Sequence, residues 1–139
     1  MAVVGVLVFM GVASAEEKFD PKKLDGSWVP ESALLAGQAM PDEVIKSITL
    51  TLKGDKYTVE LGGQTDAGEV KVDAKAKPAA MDITGKVGPN AGKTIKAIFE
   101  LSGDTLKVCY TFEGTTRPTE FKSTQENKFF LVTYKRKKS

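Results

Sequence analysis

The sequence predicts an all-β domain, a small antiparallel up-and-down β-barrel of about eight strands. Three observations predict it. After residue 44, apolar and polar residues alternate with a period of two in run after run. Short turns rich in Gly and Asp join the runs as neighbours. A meander of this size also leaves exposed edges unless it closes on itself. A two-sheet sandwich is the alternative use of the same strands.

The elements follow in order. "ESALLAG" (residues 31–37) and "PDEVIKS" (41–47) carry the only hints of helix, and both are short. Pro41 and Asp42 suit the first turn of a helix. "KSITLTL" sets Ile48, Leu50 and Leu52 against Ser47, Thr49 and Thr51, and "KYTVEL" sets Tyr57, Val59 and Leu61 against Lys56, Thr58 and Glu60. "GEVKVD" and "AMDIT" repeat the alternation with Val70 and Val72, then Met81 and Ile83. "TIKAIFEL" aligns Ile95, Ala97, Phe99 and Leu101, and "TLKVCYTF" aligns Leu106, Val108, Tyr110 and Phe112. "KFFLVTYKR" is apolar on both faces, as befits a covered closing strand. "LKGDKY" and "LSGDTL" are two versions of one hairpin, in which Gly54 and Gly103 supply positive φ. "GGQTDAG" and "GKVGPNAGK" read as longer Gly-rich connections, and no helix pattern follows either to make a phosphate cradle.

Gly26-Ser27-Trp28 holds the only tryptophan, just before the first strand-like run. The G-x-W spacing resembles that of the lipocalins. The resemblance implies that Trp28 plugs the closed end of the barrel and that Arg136 packs over the indole. A lone Trp serving as an ordinary core anchor is the plainer reading. "LDGSW", "GDKYTVELGG", "MDIT", "GPNAGKTIKAIFELSGDTLKVCY" and "RPTEFKS" further resemble the lipocalin-like domain of exported proteins abundant in planctomycete bacteria. The similarity covers residues 23 to 135. It implies the barrel and export, and it brings no catalytic residues, because that family has no assigned function.

The N-terminus reads as an export signal. Val3 to Val12 is apolar, Ala13-Ser14-Ala15 is a small-x-small cleavage pattern, and "EEKFD" follows at once. No Lys or Arg precedes the apolar run, which departs from the usual signal, and a buried N-terminal strand or helix is the alternative. On the export reading, residues 1–15 are removed and residues 16–139 form a single domain, periplasmic or extracellular, with no stable membrane anchor. The composition is 41% hydrophobic and 27% charged, ordinary for a soluble globular domain. Net charge is +2, and Lys135, Arg136, Lys137 and Lys138 account for more than all of it. The basic character is thus a short C-terminal tail, and nucleic acid is not an expected partner.

The absence of histidine removes the Ser-His-Asp triad, the Cys-His pair and most zinc sites. No metal or cofactor is expected, and an enzyme ranks last among the readings. Cys109 is the only cysteine, so no intramolecular disulfide forms. It is either half-buried and inert or exposed and able to link two chains of an otherwise monomeric protein. The expected partner is a small apolar or amphiphilic ligand inside the barrel. Tyr57 and Tyr110 are candidate polar handles, with Phe112 beside them on the apolar wall. Arg117 and Glu120 either pair with each other or stand at the rim, where Arg117 could hold an acidic head group. A barrel packed solid, serving as an envelope interaction module, is the competing reading.

Overall fold

The computed structural model describes residues 21–111 and 116–137. A 3-10 turn (Pro21–Leu24) leads into nine strands and one helical turn: β1 (Gly26–Leu35), β2 (Gln38–Ala39), α1 (Asp42–Ile45), β3 (Ile48–Lys53), β4 (Lys56–Leu61), β5 (Gln64–Asp73), β6 (Ala80–Val87), β7 (Thr94–Ser102), β8 (Thr105–Thr111) and β9 (Phe130–Arg136). From β3 to β9 each strand pairs antiparallel with the next, β1 pairs with β3, and β9 returns to β1. The sheet therefore closes as an eight-stranded barrel among the described residues, with β2 a two-residue stub folded back on the end of β1. Closure leaves the barrel strands no free edge, which settles the choice against the open sandwich. No helix among the described residues is long and apolar enough to cross a membrane.

The first half-turn of sequence behaves differently from its pattern. "ESALLAG" hints at helix through Glu, Ala and Leu, yet residues 31–35 continue β1. The register Ser32↔Thr133 through Leu35↔Phe130 closes the barrel, and a ladder shared with β9 outweighs a few tenths of a kcal/mol of helix propensity. The register shifts between Pro30 and Ser32, a bulge beside the one residue that has no N–H to donate. "PDEVIKS" gives a single turn, α1, in which Ile45 and Lys46 donate to the carbonyls of Pro41 and Asp42. Ile45 is its buried anchor. "GGQTDAG" is shorter as a connection than its glycines suggest: only Gly62-Gly63 turns, and Gln64 already pairs with Leu61.

Inward-facing residues build the core: Leu50 and Leu52 on β3, Tyr57 on β4, Met81 and Ile83 on β6, Ile95, Ala97 and Phe99 on β7, Leu106, Val108 and Tyr110 on β8, Val132 and Tyr134 on β9. The outer wall is not polar everywhere, because residues 116–129 cross it as a strap. Pro118, Ile98 and Cys109 are fully buried there, although Ile98 and Cys109 alternate with inward residues. Arg117 anchors the strap. Its guanidinium donates to the carbonyls of Met81 and Ala97 and to the Asp82 carboxylate. At the far end Thr124 and Asn127 exchange side-chain-to-backbone bonds, and Gly37 donates to Ser123 Oγ, tying the strap to the β1–β2 hairpin. The basic C-terminus is also less of a tail than its charge suggests. Lys135 and Arg136 belong to β9, and the Lys137 amide donates to the Ser27 carbonyl at 2.7 Å.

Candidate functional site

Trp28 occupies the end of the barrel where the chain enters. It is fully buried, and its Nε1 donates to the Leu24 carbonyl at 2.9 Å. Arg136 lies over the ring, with its guanidinium carbon 4.3 Å from the ring centroid. The remaining donors of that guanidinium reach the carbonyls of Asp25 and Lys23 and the carboxylate of Asp104. One side chain thus ties the 3-10 turn, β1 and the β7–β8 hairpin together, and its charge stacks on the indole. Gly26 makes this possible in two ways. Its φ is +136°, a conformation that L side chains rarely adopt, and a Cβ there would come within 3.0 Å of Arg136 Nη1. The glycine two residues before the Trp is therefore the space the arginine uses.

Above this base the barrel is hollow. A cavity of about 720 Å³ runs through the interior, within the range of small-molecule pockets. Its walls are apolar, from Leu50, Leu52, Val70, Ile83, Leu106 and Val108 among others. It reaches the end opposite Trp28, where Leu35, Met40, Val44, Leu61 and Pro89 surround it. Leu35 and Leu61 at this rim are, with Val87, the exposed large apolar residues of the described chain.

The polar groups of the wall fall into two sets. Deep inside, the hydroxyls of Tyr110 and Tyr134 bond to each other at 2.8 Å, and Phe130 stacks on Tyr110 at 5.6 Å. Burial raises both phenols, Tyr110 well above its ordinary value with the Tyr134 neighbour adding to it, and Tyr134 to about 12 even though its hydrogen bond with Tyr110 works the other way. Nearer the mouth, Asp66 accepts from Tyr57 Oη at 3.3 Å on one oxygen and from Asn90 Nδ2 at 2.8 Å on the other. Burial, then the charge and hydrogen bond of Asp66, push Tyr57 up to about 12. Gly68 fits this arrangement by close approach. A Cβ there would lie 2.9 Å from Tyr57 Cε1 and 2.0 Å from the Thr84 carbonyl. Lys93 and Thr94 complete the polar lining of this end.

The sequence-predicted residues divide accordingly. Tyr57 and Tyr110 line the cavity. Phe112 lies outside the described residues, as do positions 1–15. Arg117 does not stand at the rim: it is bound to the outer wall, on the face of β6 and β7 that carries Asp82 rather than Met81 and Ile83. Its carboxylate partner is Asp82 rather than Glu120, which is exposed on the strap. Cys109 faces outward but is sealed by the strap, with its Sγ 3.8 Å from the Lys122 carbonyl, and burial raises its thiol. That geometry gives no support to a Cys109-linked dimer, since the strap covers the sulfur. Asp66, Asn90 and Lys93 were not among the predicted residues, although counting back in twos from Val70 places Gly68 and then Asp66 on the inner face. Among the described residues no group of three His, Cys, Asp or Glu side chains could hold a metal ion. No family model, curated protein or solved structure matches the chain.

Proposed function

We propose that this protein binds a small apolar or amphiphilic molecule outside the cytoplasm, as a non-catalytic carrier of the lipocalin-like type. The observation that carries the reading is the apolar cavity of about 720 Å³, closed at the Trp28 end and reaching an apolar rim at the other. The hydrophobic effect makes such a space a sink for hydrocarbon, at about 25 cal/mol per Å² of apolar surface removed from water. A barrel packed solid by its own side chains would have left only an outer surface to work with. The extracytoplasmic part of the proposal rests on the apolar run and Ala13-Ser14-Ala15 pattern.

Native mass spectrometry of protein recovered from the producing cell tests both parts at once. A retained small molecule supports the carrier, and a chain beginning near Glu16 supports export. A chain that keeps residues 1–15 removes the export claim. If an uncharged polarity-sensitive fluorophore also fails to enter the barrel, function moves to the exposed apolar rim at Leu35 and Leu61 as a protein-docking surface.

A further inference from the structure

We infer that the mouth selects amphiphiles whose head is neutral and both donates and accepts hydrogen bonds, a hydroxyl or a primary amide, over a free carboxylate or amine. The inference rests on the carrier reading and specifies its ligand.

Two opposite charges share the polar end of an otherwise uncharged lining, Asp66 and Lys93. Asp66 is half-buried and held in place from two other elements, by Tyr57 of β4 and Asn90 of the β6–β7 loop. Both of its donors are uncharged, and each carboxylate oxygen keeps a further lone pair for a guest. Lys93 stands three residues beyond Asn90, exposed, and no ion pair among the described residues engages it. A carboxylate head arriving here is attracted by Lys93 and repelled by Asp66. An ammonium head meets the reverse. In both cases the attraction and the repulsion oppose each other, while the head still loses water on entering. A hydroxyl or primary amide escapes this conflict. It donates to the fixed Asp66 oxygen, accepts from the Lys93 ammonium, and loses no ionic hydration. Charge-assisted bonds of this kind are the stronger class. Arg117, the rim cation expected from the sequence, takes no part because it is committed to the outer wall.

The test is displacement of an uncharged polarity-sensitive fluorophore by dodecanol, dodecanamide, dodecanoate and dodecylammonium at neutral pH. The tail is the same in all four. Dodecanol and dodecanamide are expected to bind about three- to tenfold more tightly than either ion, the worth of about one hydrogen bond. Asp66→Asn should then favour dodecanoate, and Lys93→Gln should favour dodecylammonium. Lys93 is exposed, so Lys93→Gln keeps the test alive should Asp66→Asn fail to fold. Either ion binding as tightly as dodecanol in the wild type overturns the inference. An acid-to-amine preference that Lys93→Gln leaves unmoved overturns it as well. If the fluorophore itself does not bind, the carrier reading fails, and this inference fails with it.

Discussion

At the scale of single residues, the base of the barrel is the most strongly determined part of the molecule. Trp28 is fully buried and fastened by one hydrogen bond and one cation stack. Truncating it leaves a void the size of an indole beneath the cavity. Trp28→Ala is expected to cost about 3–5 kcal/mol in urea unfolding. A loss below about 1 kcal/mol would show that the base closes without it. The phenols give a pH signature. Tyr57 and Tyr134 are raised from about 10 to about 12, so the folded state holds their protons more tightly than the unfolded chain does. Their contribution is whole below pH 10 and is lost as pH climbs from 10 through 12. Urea midpoints measured across that window should fall, and Tyr134→Phe should fall less steeply, having one fewer raised phenol. A midpoint flat to pH 12 would contradict the burial of these hydroxyls. The base was legible through a resemblance: Gly26-Ser27-Trp28 has the lipocalin spacing, and that resemblance implied both the plug and Arg136 over the ring. The Asp66 cluster was not, because Asn90 and Lys93 come from a Gly-rich loop with no periodicity to assign them a face.

At the scale of elements, the strands were readable wherever one face meets the core and the other meets water, as in β3 and β4. Two elements were not. The second half of β1 is rich in helix formers, and only its long-range pairing with β9 makes it a strand. The strap has no period at all, so nothing local says whether residues 116–129 turn toward the mouth or over the outside. Arg117 is the residue that decides it, by reaching two backbone carbonyls and Asp82 on the outer wall. Arg117→Ala is expected to destabilise the protein by about 1.5–3 kcal/mol, the range for hydrogen bonds to a charged group. It should also speed reaction of Cys109 with a thiol reagent, because the strap is what shields the sulfur. Fluorophore affinity should stay within about twofold of wild type in this variant, since a twofold change is well under 1 kcal/mol. A tenfold loss of affinity would return Arg117 to the binding site.

At the scale of the whole molecule, an eight-stranded barrel sealed at one end and hollow above gives the interior a single polarity, with a dry base and a wettable mouth. The sealed end has a kinetic consequence. On the carrier proposal, with Trp28 and Arg136 across the base, a guest would leave by the way it entered, withdrawing its tail along the apolar wall. Each methylene that must be re-exposed adds about 0.8 kcal/mol, which slows departure about fourfold. Dissociation rates of a homologous alcohol series should therefore fall geometrically with chain length. They should then level off at the length whose tail reaches the closed end of the cavity, which makes the series a ruler for the depth of the barrel. A rate independent of chain length would mean that guests leave through the wall.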